Sequence, residues 1–232
     1  SGNFRVIDKI MARMDKLDYI TGDAYRKSGC IVNMIRKTDR VLKRFEKPFM
    51  VTEFGGNWNA GSHELLTADL HAGLWATFMT DTSASPLFWW FHFIHVKNLY
   101  PHYRAFTAFI RGEDKICLDL KSGSAPLFLD SQKVSPEKID VLTARNRSRL
   151  LGWIYSPDAM TGLQEETADQ YRFSNIEIGI KGLNPGTYTA EFWDTYTGKV
   201  VQRKTVRLTD KISRIPVPMF YKDIALKVTA KK

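Results

Sequence analysis

The sequence predicts an α/β segment followed by an all-β segment, and two patterns divide it. Up to about residue 112, stretches with helical apolar spacing alternate with short strand-like runs, in the order helix, strand, helix, strand, helix, strand, helix. After Gly112-Glu113-Asp114 the pattern changes to short apolar runs roughly 8–12 residues apart, with Gly, Pro, Asn and Asp between them. That spacing predicts an antiparallel β-sandwich. The 232 residues, 44% hydrophobic and 12% aromatic, suffice for a real core in one large or two ordinary domains. The expected domains are 1–112 and 113–232.

Taken in order, Phe4, Ile7, Ile10, Met11, Met14 and Leu17 mark a first helix. Asp18 to Tyr25 reads as a short strand running into a polar end. Cys30 to Phe45 carries Ile31, Met34, Ile35, Val41, Leu42 and Phe45 on one side of a second helix. A strand follows from Phe49 to Phe54. Ser62 is a candidate N-cap for a helix from His63 to about Thr80, whose core face would hold Leu65, Leu66, Leu70, Leu74, Trp75 and Phe78. Pro86 to Phe91 reads as a fully buried strand. The last helix starts near Tyr100-Pro101, where proline is acceptable, and runs to about Arg111. In the all-β part, candidate strands include Ile116 to Leu120, Leu127 to Leu129, Asp140 to Asn146, Arg149 to Tyr155, Asn175 to Ile180, Thr187 to Trp193, Val200 to Leu208 and Ile224 to Val228. Leu183-Asn184-Pro185-Gly186 is a turn signal.

The formal net charge is +9. Its densest basic cluster, Arg36 to Lys47, has helical spacing and reads as a solvated helix face, since no nucleic-acid motif accompanies it. No nucleic-acid or membrane partner is expected, and the sequence shows no signal peptide or transmembrane stretch. The leading Ser1-Gly2 looks like a cleavage scar. Cys30 and Cys117 are too few for a disulfide framework and both read as buried thiols. No metal or other cofactor is expected, because no close His/carboxylate set has ligand spacing. Asp158 and Glu165-Glu166 read as a solvated polar loop rather than a Ca²⁺ site.

The stretch Lys47 to Trp58 holds the chemistry. On simple alternation, Phe49, Val51 and Glu53 share one strand face, with Met50, Thr52 and Phe54 on the other. A carboxylate ending an apolar strand is costly to bury and has a reason to be there. Gly55-Gly56 then allow a sharp turn, and Asn57 and Trp58 follow in the loop. A carboxylate beside an aromatic and an amide suits a carbohydrate site; the plainer reading is a Glu paired with an Arg or Lys. Alternating helices and strands imply parallel strands with helical crossovers, in a doubly wound sheet or a barrel. No glycine-rich phosphate loop follows any strand. All three strands end on unusual residues: Asp23 and Tyr25, then Glu53 with Asn57, then Trp89 and Trp90. In an eight-fold barrel that end carries the active site.

Lys47 to Trp58 resembles the seventh strand of clan A glycoside hydrolases of the family-five cellulase and mannanase type. Ser85 to Phe91 resembles the eighth strand, and Gly22-Asp23-Ala24-Tyr25 the sixth. The resemblance covers residues 1 to about 112 and implies a partial (β/α)8 barrel, about strands 6–8. It implies that Glu53 is the catalytic nucleophile, that Tyr25 hydrogen-bonds it, and that a tryptophan, Trp89 or Trp90, floors the sugar site. Asn57, Trp58 and Asp23 join as substrate contacts, Asp23 standing where the family has His. Gly61, His63, His92 and His95 read as structural or rim residues. The motif Gly186-x-Tyr188-(x)4-Trp193-Asp194-Thr195-x-Thr197-Gly198 resembles the C-terminal sandwich of several such hydrolases.

Retaining hydrolysis needs a second carboxyl group about 5–5.5 Å from the nucleophile. In the family it ends the fourth strand, usually as Asn-Glu, and no Asn-Glu precedes Glu53. The expectation is the C-terminal portion of a retaining β-glycoside hydrolase acting on a polysaccharide or oligosaccharide. Its acid/base would come from a missing N-terminal barrel half or other chains covering the open barrel edge, and the chain alone would be inactive. Its substrate type implies an extracellular or periplasmic location, since polysaccharide lies outside the cell. Two alternatives stand beside it: a non-catalytic carbohydrate-binding or scaffolding protein, and an unrelated α/β domain with an ion-paired Glu53. In the sandwich, Trp153 and Tyr155 share a face. They read as packing unless two rings lie coplanar on an exposed surface.

Overall fold

The computed structural model describes residues 10–25, 29–56, 61–82, 87–162 and 170–231. The chain divides into two compact units. The first runs to Leu99 and takes in the short segment Met160–Leu163; the second holds the rest from Tyr100 onward. The helix Tyr100–Ile110, which closes the α/β series in the sequence, therefore lies with the second unit. Among the described residues no helix is long and apolar enough to cross a membrane.

The first unit is a three-stranded parallel sheet with helices between its strands. It runs β1 (Ile20–Ala24), α1 (Ile31–Leu42), a 3-10 turn (Lys43–Phe45), β2 (Phe49–Phe54), α2 (His63–Met79), β3 (Leu87–Phe88) and α3 (Phe91–Val96). The strand order is β1-β2-β3, and both pairings are parallel. Of the helix expected over Phe4 to Leu17, only residues from 10 onward are described, and 10–12 are helical.

Helix α1 buries Ile31, Val32, Ile35 and Leu42, and its N-cap is Cys30, whose Sγ accepts from the Val32 N–H at 3.4 Å. It passes into the 3-10 turn, which Glu46 ends in the left-handed region at φ 54°. Ser62 caps α2, its Oγ accepting from the Leu65 N–H at 3.2 Å. Helix α2 is buried almost all round: Leu66, Leu70, Ala72, Leu74, Trp75, Ala76 and Met79 are enclosed, with Leu65 and Phe78 half-buried. Gly73 lets it approach β2, because a Cβ there would lie 1.9 Å from Phe54 Cε2.

The buried strand expected over Pro86 to Phe91 is corrected. Only Leu87 and Phe88 are described as strand, and Leu87 and Phe91 are exposed. The Trp89 N–H still bonds the Phe54 carbonyl at 3.0 Å. Trp90 then adopts φ −83°, ψ 55°, with the Phe91 N–H bonded to the Trp89 carbonyl at 2.9 Å. That is an inverse γ-turn, a common way to end a strand, and it leads directly into α3.

The second unit opens with α4 (Tyr100–Ile110) and continues with β4 (Lys121–Gly123), β5 (Leu127–Leu129), β6 (Gln132–Lys133), β7 (Asp140–Arg145), β8 (Arg149–Tyr155), β9 (Arg172–Phe173), β10 (Ile176–Ile180), β11 (Gly186–Asp194), β12 (Lys199–Leu208), β13 (Ser213–Pro216), β14 (Phe220–Tyr221) and β15 (Asp223–Ala230). They form a six-stranded sheet, β12-β11-β15-β8-β7-β4, a four-stranded sheet, β13-β10-β5-β6, and the pair β14-β9. The pairings are antiparallel. One apolar core draws on both larger sheets, joining Leu127, Ile176, Ile178 and Ile215 to Val141, Ile154, Phe192, Leu226 and Val228.

The turns follow local chemistry. Asn146 Oδ1 accepts from the Ser148 and Arg149 N–H groups between β7 and β8. Asp194 Oδ1 does the same for Tyr196 and Thr197 between β11 and β12. Such short polar side chains offer the backbone a turn in place of a ladder. The same effect corrects the strand expected at Ile116 to Leu120: Asp114 Oδ1 accepts from the N–H groups of Ile116 and Cys117, the segment forms turns, and Cys117 is exposed rather than buried.

Trp153 and Tyr155 stack at 4.3 Å with 10° between their planes, but both are enclosed, at 0% and 1% exposure. The Trp153 indole N–H donates to Asp223 Oδ2 and the Tyr155 hydroxyl to Asp140 Oδ2. Their pairing is packing with satisfied polar ends, not an exposed platform. Within the same unit, Phe109 of α4 meets Trp193 edge-on at 5.8 Å. Glu113, just beyond α4, bonds Arg149 at 2.5 Å and the Lys227 ammonium at 2.9 Å.

Candidate active site

The C-terminal ends of the three parallel strands bring the singled-out residues together. The pairing of β1 with β2 decides which way they face. Gly22 sits opposite Val51, yet Ala24 sits opposite Phe54, so Thr52 and Glu53 together oppose the single residue Asp23. This is a bulge in β2. It breaks the alternation expected from the sequence: Phe49, Val51 and Phe54 are buried, whereas Met50, Thr52 and Glu53 are half-buried. Glu53 therefore does not share the buried side of Phe49 and Val51. A bulge at the end of a strand re-aims a side chain in just this way.

The Tyr25 hydroxyl donates to Glu53 Oε2 at 2.9 Å. Glu53 is thus bonded to a neutral hydroxyl from the neighbouring strand end. Burial holds the Tyr25 phenol well above its ordinary range; donation to Glu53, the charge of Glu53 and the charge of Asp23 add to the rise. Tyr25 remains a proton donor across neutral pH. Asp23 is exposed and accepts from the Thr52 hydroxyl at 2.9 Å, so it stands beside Glu53 at the bulge.

Beyond Glu53 the chain turns through Gly55 and Gly56, at φ 113° and 63°. A Cβ at Gly55 would lie 2.4 Å from Phe88 Cε2, so the turn packs directly on the β3 aromatic. The Gly55 carbonyl accepts from the Trp90 indole N–H at 2.9 Å. The Gly56 N–H donates to Asp69 Oδ2 at 2.7 Å. Trp90 is half-buried and tied to the turn that follows Glu53, while Trp89 is 43% exposed. Neither lies in the strand, which ends at Phe88. Asn57 and Trp58 lie outside the described residues.

His63, His92 and His95 are exposed, His63 against Phe93 at 5.3 Å and His92 against Phe91 at 4.2 Å. The sequence reading passed over Asp69. Its signal was present: an acid on the same helical face as Leu66, Leu70 and Gly73, where a solvated carboxylate has no place. Among the described residues no three His, Cys, Asp or Glu side chains gather as a metal site would need.

No family model matches the sequence, and no curated protein matches it closely enough to count as a relative. Solved structures do match. A glycoside hydrolase of family 5 from Bacteroides vulgatus ATCC 8482 superposes with a TM-score of 0.58 at 9% identity, over 93% of this chain and 51% of that one. Another structure, described as a glycoside hydrolase, gives a TM-score of 0.53 at 11% identity, over 83% of this chain and 46% of the other. The chain thus spans about half the length of the solved structures it matches. The likeness is one of fold: this chain folds as part of a family-five-type glycoside hydrolase does.

Proposed function

We propose that this chain is the C-terminal portion of a retaining β-glycoside hydrolase that acts on a polysaccharide or oligosaccharide outside the cell. On this reading β1, β2 and β3 are the sixth to eighth strands of a (β/α)8 barrel, and the second unit is an accessory β-sandwich. The observation that carries the proposal is the hydrogen bond from Tyr25 to Glu53, made where two parallel strands end. It is the pairing expected of a nucleophile and the donor that orients it.

Glu53 attacks the anomeric carbon and forms a glycosyl-enzyme ester as the glycosidic C–O bond breaks. A second carboxylic acid, supplied by the part of the protein outside this chain, protonates the leaving oxygen. As a carboxylate it then takes a proton from water, which cleaves the ester and releases Glu53. Tyr25 keeps Glu53 oriented through Oε2. Trp90 and Trp89 supply aromatic faces on which a sugar ring can stack, and Asp23 offers a hydrogen-bond acceptor at the rim. The chain by itself is expected to be inactive. The non-catalytic binding alternative has less support, since the stacked pair best suited to hold a glycan, Trp153 and Tyr155, is enclosed.

The test is Glu53→Gln in the protein that carries the whole barrel. Turnover is expected to collapse with the fold intact, and a fluoro-sugar inactivator is expected to label the Glu53 peptide in the parent but not in the variant. Unchanged turnover in Glu53→Gln sinks the proposal.

A further inference from the structure

We infer that Asp69 is a positioning residue for Glu53, acting through the Gly55-Gly56 turn that its carboxylate holds from α2. The inference rests on the proposed role of Glu53.

A turn built from two glycines with positive φ is conformationally permissive, so something else must fix it. Here two side chains do so from different elements. Asp69 Oδ2 accepts from the Gly56 N–H at 2.7 Å, and the Trp90 Nε1–H donates to the Gly55 carbonyl at 2.9 Å. Adjacent peptide units are therefore gripped by one acceptor and one donor. Asp69 has no exposed surface. Burying a carboxylate is costly unless its oxygens are hydrogen-bonded, so its position calls for a specific explanation. The partner of its Oδ2 belongs to the turn two residues beyond the bulge that aims Glu53.

Helix α2 reaches this strand end twice. Asp69 and Gly73 are one helical turn apart and share a face. Gly73 admits the Phe54 ring, and Asp69 holds Gly56. The backbone leaving Glu53 is thus fixed at Phe54 by packing and at Gly56 by a hydrogen bond, with Phe88 packed against Gly55 between them. Glu53 itself is tied to Tyr25 on its other side. Losing the Asp69 bond frees the turn and lets the carboxylate drift from its line of attack. A misplacement of about 1 Å at a reacting group can lower a rate on the order of a hundredfold.

The experiment compares Asp69→Ala and Asp69→Asn with Glu53→Gln in the protein that carries the whole barrel. Asp69→Ala is expected to lower kcat about tenfold to a hundredfold with little change in KM. Asp69→Asn, whose amide oxygen still accepts from Gly56, is expected to restore most of that loss. Faster hydrogen exchange at the Gly56 amide should accompany the Ala variant alone. A purely structural Asp69 would lower the melting temperature and leave kcat of the folded variant unchanged, which overturns the inference; so does an Asn variant as impaired as the Ala variant. If Asp69→Ala does not fold, Asp69→Leu takes its place, since it keeps the branched shape but accepts no hydrogen bond from Gly56: a several-fold loss of kcat beside a near-parental Asp69→Asn supports the inference and a parental kcat overturns it. An active Glu53→Gln removes the reading of Glu53 beneath the inference. An inactive Glu53→Gln beside a parental Asp69→Ala removes this inference alone.

Discussion

Replacing Tyr25 with Phe removes one oxygen and keeps the ring, so it isolates the bond to Glu53. That bond is 2.9 Å long and links side chains from adjacent strand ends. A hydrogen bond to a charged group contributes about 1.5–3 kcal/mol, and each ~1.4 kcal/mol of barrier is tenfold in rate. In the protein that carries the whole barrel, kcat for glycosylation is therefore expected to fall about tenfold to a hundredfold, with KM little changed. Single-turnover kinetics with an activated aryl glycoside reads that step directly. The same variant carries a pH signature. Burial first, then the bond to Glu53 and the nearby carboxylate charges, raise the phenol's pKa in the folded protein. A raised folded value means a contribution to stability that is fully present below the unfolded value of about 10 and lost as pH climbs toward the folded one. The parent should lose stability above about pH 10 through this group, and Tyr25→Phe should lack that component in alkaline melts. A variant with parental kcat and an unchanged alkaline limb would refute both the bond's role and the reasoning.

Two further outcomes are expected. Glu113→Gln leaves the Lys227 ammonium, with 9% of its side chain exposed, held by the faces of Phe109 and Trp193 at 4.9 and 5.0 Å but without its carboxylate. Breaking a buried pair from one side costs about 3 kcal/mol, or a drop of roughly 2 M in urea midpoint at ~1.5 kcal/mol per M; a loss below about 1 kcal/mol would show that the rings suffice. Cys117 is exposed, and Asp114, which bonds it, raises the thiol's pKa. Iodoacetamide should therefore modify Cys117 in the folded chain while sparing buried Cys30, and Asp114→Asn should speed the reaction by raising the thiolate fraction. Equal rates with and without Asp114 would contradict this.

Periodicity and capping sufficed wherever a segment's fate is decided locally. Ser62 before a long apolar run announces the start of α2, and the apolar positions from Ile31 to Leu42 announce the buried side of α1. The hairpins around Asn146 and Asp194 follow from short side chains that bond the backbone two and three residues on. The same chemistry at Asp114 was there to be read, but the apolar residues Ile116 to Leu120 suggested a strand, and the side-chain turn prevailed.

At the candidate site, the sequence by itself determined which residues end the strands: Asp23, Tyr25, Glu53, Trp89 and Trp90 stand there because short runs of strand-forming residues end beside them. Only the tertiary structure decided how they meet. The bulge at Thr52-Glu53 exists through pairing with β1, and simple alternation placed Glu53 with Val51, on a side the pairing denies it. The aromatic run after Leu87 becomes a turn and a helix once the Trp89 N–H has bonded the Phe54 carbonyl and Trp90 has closed its inverse γ-turn. The Tyr25–Glu53 bond and the Asp69–Gly56 bond join residues 28 and 13 positions apart. Local pattern carries no information on such contacts, because they arise from the register of neighbouring strands and from the close approach that Gly73 permits.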